Sequence, residues 1–114
     1  MVFIETTLFT RRIVELNAEI QLQQLQHDLL LNPELGDVIR GLDGVRKIRM
    51  PLPGRGKRGA SRVLYLVLHK AQKVIFLLLY TKNEFTDLPP HIKKAITPLI
   101  AQIRKEFEDE KTRI

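Results

Sequence analysis

The sequence has no cysteine, no tryptophan and only two tyrosines. Without cysteine there is no disulfide framework, no thiolate nucleophile and no thiolate metal site. The three histidines, His27, His69 and His91, are too scattered to form a zinc motif. Structural roles outweigh catalysis for each of them: one on the exposed side of a helix, one at a hairpin end, one in the first turn of a helix. No metal and no cofactor is expected. The longest apolar runs, such as Val74 to Tyr80, fall well short of the roughly 20 residues that a membrane span needs. Met1-Val2-Phe3-Ile4-Glu5 meets a charge too early for a signal peptide. A cytoplasmic location and no membrane partner are therefore expected. The most informative absence is acidic: from Gly44 to Asn83 there is no Asp or Glu.

That window holds Arg46, Lys47, Arg49, Arg55, Lys57, Arg58, Arg62, Lys70, Lys73 and Lys82. The whole chain carries a net charge of +6, so this one segment, at +10, leaves the remainder at −4. A field of one sign concentrates a polyanion and speeds its encounter, which fits nucleic acid. Solubility alone is the weaker reading, because it favours interspersed signs.

At 114 residues, 44% of them hydrophobic, the chain has the size and apolar content of a single domain spanning 1–114. Val2 to Glu5 reads as a short strand. Thr6 or Thr7 caps a first helix with Phe9, Ile13 and Leu16 on one face. Asn17 caps a second, with Leu22, Leu25 and Leu29 inward, until Asn32-Pro33 stops it. Leu35 to Gly44 reads as a loop anchored by Val38 and Ile39. Val45 to Met50 alternates as a strand does, with Val45, Lys47 and Arg49 on one side and Arg46, Ile48 and Met50 on the other. Arg62 to His69 and Lys73 to Thr81 form an antiparallel hairpin around Lys70-Ala71-Gln72, too apolar for a fully solvated face. A last helix is expected from about Asp87, with Leu88, Ile92, Ile96, Leu99, Ile100, Ile103 and Phe107 at helical spacing and Pro98 as a kink or break. The order predicts an α+β domain: a small, mainly antiparallel sheet, an N-terminal helical pair and a C-terminal helix.

Gly54-Arg55-Gly56-Lys57-Arg58-Gly59 is a literal G-x-G-x-x-G. The dinucleotide fingerprint must follow a strand and open a helix, whereas here a β-branched and aromatic run follows, and the Walker A spacing is absent. What remains is a glycine-hinged basic loop between two strands, suited to close contact with phosphates.

Four blocks resemble, in order and spacing, the HigB branch of the RelE-like bacterial toxins. They are Leu31-Asn32-Pro33-Glu34-Leu35-Gly36-Asp37-Val38-Ile39, Gly44-Val45-Arg46-Lys47-Ile48-Arg49, Gly54 to Tyr65, and Tyr80-Thr81-Lys82-Asn83-Glu84. The resemblance covers nearly the whole chain. It implies a ribosome-dependent endoribonuclease that cuts mRNA in the 30S decoding site. It also implies a helix-turn-helix antitoxin of the Xre (HigA) type, through which alone operator DNA is bound.

In such a site the RNA 2′-hydroxyl attacks the adjacent phosphorus in line. One group takes its proton, another protonates the leaving 5′-oxygen, and cations stabilise the phosphorane charge, with no metal required. The resemblance matches Lys47, Arg49, Lys57, Arg62 and Lys82 to basic positions of the family; with Tyr80 these are the expected catalytic residues, and Arg46, Arg55, Arg58 and Asn83 are the expected RNA contacts. Lys57, crowded by Arg55 and Arg58, is the first choice as general base, since like charges lower a lysine pKa. Arg49 and Arg62 stay protonated and stabilise charge. Tyr80 either stacks on a base, donates its hydroxyl to phosphate, or belongs to the core. Glu84 either orders Lys82 or Arg62 or caps a turn. Other family members have an arginine where Asn83 stands and a tyrosine where Pro89 stands, so the general acid stays unassigned. Two further functions remain open: a non-catalytic RNA-binding or ribosome-binding module, and a ParE-like gyrase inhibitor. The dense cationic cluster argues against the second, and the few aromatics argue against a stacking platform for single strands.

Overall fold

The computed structural model describes residues 1–54, 60–85 and 87–112, with side chains described as far as residue 107. Along the chain these form β1 (Val2–Glu5), α1 (Thr7–Glu15), α2 (Glu19–Leu31), β2 (Asp37–Val38), β3 (Arg46–Met50), β4 (Ser61–Leu68), β5 (Lys73–Thr81) and α3 (Pro90–Thr112). The five strands make one sheet in the order β1-β5-β4-β3-β2. All neighbours are antiparallel except β1, which runs parallel to β5.

Thr6 starts α1 as expected: its backbone is extended and its hydroxyl accepts from the Phe9 amide at 3.1 Å. Phe9 and Ile13 are buried and Leu16 packs beside them. Asn17 does not cap α2. It takes φ +52°, a left-handed conformation that asparagine tolerates, and turns the chain so that α2 begins at Glu19 with no side-chain cap. Leu22, Leu25 and Leu29 then face inward. With Met50, Val63, Tyr65, Val74, Phe76 and Leu79 they form one core, between the helix pair and the sheet.

A second core lies on the opposite face. Leu64, Leu66, Leu68, Ile75 and Leu77 of the sheet meet Ile96, Ile100 and Ile103 of α3. The β4–β5 hairpin is thus covered on both faces, as its uniformly apolar sequence requires. Each fully buried leucine or isoleucine there contributes about 1.5–3 kcal/mol. Helix α3 starts at Pro90, three residues later than expected, and the Pro89 carbonyl accepts from the Ile92 and Lys93 amides. It continues through Pro98, so the proline does not end it. Leu99 is 39% exposed instead of inward.

Residues 35–44 are not only a loop. Asp37 and Val38 form an edge strand against Lys47 and Arg46. Val38 is 57% exposed, so it is no anchor; Leu42, at 1%, is.

One irregularity decides the geometry of the site. Leu64 pairs with Leu78 but Tyr65 pairs with Phe76, so Leu77 is an extra residue in β5. Before it, Val74 and Phe76 face the helix pair; after it, Tyr80 faces α3. The bulge reverses the alternation and places Tyr80 on the face shared by Arg62.

Candidate phosphate-binding and cleavage site

Beyond the start of α3 the sheet face is open, and there the register sets two rows of side chains across the strands. The first runs Arg49 (β3), Arg62 (β4), Tyr80 (β5); the second runs Asp37 (β2), Lys47 (β3), Leu64 (β4), Leu78 (β5). Directly paired residues share a face, so Lys47, Arg49, Arg62 and Tyr80 come together, as the β3 alternation predicts. Lys47, Arg49 and Arg62 line a cleft of about 420 Å³ with Leu35, Gly36, Asp37, Ile48 and Asp87. A second depression, of about 410 Å³ between α1 and α3, is lined mainly by apolar residues such as Leu8, Leu77, Ile96 and Leu99. Arg12 in its lining is already paired with Glu15 and Glu84, so this depression offers no unpaired described cation to a phosphate.

Arg49 and Arg62 are opposite each other across the β3–β4 ladder. Cross-strand partners have Cβ atoms about 4.5–5.5 Å apart, and like charges so placed repel. Among the described residues neither arginine forms an ion pair; the one hydrogen bond there is a long one, 3.5 Å from Arg62 Nη1 to the Ala60 carbonyl. Such a pair is poorly placed for stability and well placed to clamp an anion.

One wall of the cleft is held from beneath. The Gly36 amide donates to the Tyr65 hydroxyl at 2.8 Å, and that hydroxyl donates to the Pro33 carbonyl at 2.9 Å. Arg46 Nη1 donates to the Gly36 carbonyl at 2.8 Å and the Glu34 carbonyl at 3.2 Å. Burial pushes the Tyr65 phenol pKa up, and the Gly36 amide and Arg46 partly offset it. Arg46, expected among the RNA contacts, is not among the residues that line the cleft. It points to the other side of the strand from Lys47 and Arg49 and fastens the loop that carries Leu35, Gly36 and Asp37.

Tyr80 is 1% exposed, packed edge-on against Phe85 with ring centroids 5.6 Å apart. Its ring belongs to the core, so stacking on a base is excluded. Among the described residues its buried hydroxyl has no hydrogen-bond partner. Burial raises its pKa, Arg62 lowers it and Asp87 raises it further. Lys82 and Asn83 are exposed in the turn after β5 and are not among the cleft-lining residues. Glu84 orders neither Lys82 nor Arg62. It accepts from the Thr81 amide at 3.2 Å and hydroxyl at 3.1 Å, and pairs with Arg12 of α1. Arg55, Lys57 and Arg58 lie outside the described residues. Among the described residues no three His, Asp or Glu side chains gather as a metal-holding group.

The two carboxylates of the cleft, Asp37 and Asp87, were not anticipated. Asp37 stands inside one of the blocks that carry the family resemblance, and recognising β2 as a strand would have put it beside Lys47. Asp87 has no local signal.

No family model matches the chain. Among solved structures it is similar to the Escherichia coli toxin RelE, determined in the free state as a double arginine-to-alanine mutant. The identity is 16% and the TM-score 0.58, over 75% of this chain and 86% of that one. This chain has a RelE-like fold. The expected RelE-like architecture of sheet, helix pair and C-terminal helix holds, with β1 added in parallel.

Proposed function

We propose that the chain is the toxin of a type II toxin–antitoxin pair, of the HigB branch, and acts in the cytoplasm as a ribosome-dependent endoribonuclease on translated mRNA. The facing, unpaired Arg49 and Arg62 carry this reading. They form a doubly charged seat for one phosphate, with Lys47 one row away. Their charge develops its full value when the phosphorane forms, because preorganised cations stabilise a transition state without reorganising. In-line attack of the 2′-oxygen on phosphorus breaks the bond to the 5′-oxygen and leaves a 2′,3′-cyclic phosphate and a 5′-hydroxyl.

Lys57, Arg55 and Arg58 join the site in this proposal on their place in the sequence alone, between Gly54 and Ala60 and shortly before Arg62. Lys82 and Asn83 extend the phosphate track from the turn after β5. A helix-turn-helix antitoxin of the Xre type neutralises the toxin and brings it to operator DNA.

Primer extension on a defined mRNA in a purified translation system tests the proposal, with the unmodified protein and the Arg49→Ala and Arg62→Ala variants, each with and without ribosomes. Cuts that need ribosomes and drop by 100-fold or more in either variant are expected. Intact mRNA with the protein still bound to ribosomes would instead identify a binding module.

A further inference from the structure

The lining of the cleft poses a problem of proton traffic. Lysine and arginine are ordinarily protonated at neutral pH and so can supply a proton, whereas attack by a 2′-hydroxyl requires a group that takes one. Among the described side chains lining the cleft, only Asp37 and Asp87 are proton acceptors of this kind.

Their positions differ. Asp37 lies on the edge strand directly across from Lys47, one row away from the arginine pair. Asp87 comes from the segment between β5 and α3 and lines the cleft beside Arg62. Arg62 is the cross-strand partner of Tyr80 and shares the cleft lining with Asp87, and both charges act on the buried Tyr80 hydroxyl, with opposite sign. Among the described residues, none forms an ion pair or hydrogen bond with the Asp87 side chain.

We infer that Asp87 is the general base of the cleavage: its carboxylate accepts the 2′-hydroxyl proton while Arg49 and Arg62 hold the phosphate that the 2′-oxygen attacks. The inference rests on the ribonuclease reading above. The new bond is 2′-oxygen to phosphorus, the bond to the 5′-oxygen breaks, and a lysine proton goes to that oxygen. Asp87 thereby ends the step protonated and a lysine ends it neutral, so proton and charge balance. Lys57 is thereby released from the role of base, and Lys47, which lines the cleft, is the candidate for the acid.

The test is single-turnover cleavage on programmed ribosomes of two messages, one ordinary and one with a 5′-bridging sulfur at the cut site. A thiolate leaves without protonation, so sulfur rescues the loss of an acid but not the loss of a base. Asp87→Asn is expected to slow cleavage of both messages about 100-fold to 10,000-fold, the usual contribution of a general base. Ribosome co-sedimentation should be unchanged, and Asp87→Glu should recover part of the rate. Cleavage within a few-fold of the unmodified protein, rescue of Asp87→Asn by sulfur, or loss of ribosome binding in parallel with cleavage would each overturn the assignment. If the unmodified protein leaves both messages intact, the ribonuclease reading itself fails. A defect confined to Asp87→Asn cannot be confused with that.

Discussion

Two arginines that face each other across a β-ladder cost stability wherever no anion lies between them. For Arg49 and Arg62 the repulsion is of the order of 0.2–1 kcal/mol, the range of charged cross-strand pairs. Arg49→Gln is therefore expected to raise the melting temperature by about 1–4 °C in calorimetry while cleavage falls. An unchanged or lower melting temperature would mean that the two guanidinium groups avoid each other. Gly36 is the opposite case, a position where the fold permits no side chain. A Cβ there would lie 2.8 Å from the Tyr65 hydroxyl and 2.9 Å from the Lys47 carbonyl. Gly36→Ala should separate the loop from Tyr65 and cost about 1–3 kcal/mol in urea unfolding, the cost of leaving buried polar groups unsatisfied. The same change would displace the wall that carries Asp37.

Among the elements, α1 depends on a residue with two tasks. The Thr6 hydroxyl caps the helix and also donates to the carbonyl of Leu77, the bulged residue of β5, at 2.9 Å. Thr6→Ala should cost about 1 kcal/mol or somewhat more, and Thr6→Ser much less, by thermal or denaturant unfolding. The helices and the hairpin are legible in the sequence because their apolar residues repeat at 3.6 or run unbroken between turn residues. The bulge is not, since Phe76-Leu77-Leu78-Leu79 is uniformly apolar and gives no sign of where the alternation reverses. The side on which Tyr80 lies is therefore hidden too. Strand β2 has only two residues and exists through its partner, so no periodicity reveals it. The cations of the site are legible from type and spacing, but not their separate tasks. Arg46 has the same chemistry as Arg49, and only the tertiary position of Glu34 and Gly36 turns it into a loop fastener. Asp87 joins the cleft from a segment remote in sequence from β3, so local patterning could not bring it there.

For the whole molecule, the two tyrosines report on the integrity of both cores, Tyr65 on the helix-pair side and Tyr80 on the α3 side. Burial raises both pKa values above the ordinary 10.0. The folded state thus favours the neutral phenols. This contribution is intact below about pH 10 and is lost as the pH rises through the folded-state values, because the unfolded chain releases those protons first. With no tryptophan to obscure the signal, tyrosinate absorbance in an alkaline titration should appear together with loss of far-ultraviolet circular dichroism. Absorbance that rises first, with the circular dichroism still native, would show that one phenol reaches solvent in the folded protein.

The parallel pairing of β1 with β5 joins Val2 to Lys73 and Glu5 to Phe76. A ribosome makes this chain from its first residue onward, so the strand that β1 and α1 dock on is among the last parts of the sheet to be synthesised. Until then Phe3, Phe9 and Ile13 have no Phe76 to pack against, and β1 has no neighbour in the sheet. The nascent polypeptide consequently carries an unfinished hydrophobic surface until β5 has been made, and Arg49 and Arg62 face each other only when the β3–β4 ladder closes. The first strand and helix of the fold are thus completed by one of the last strands of the sheet to be made.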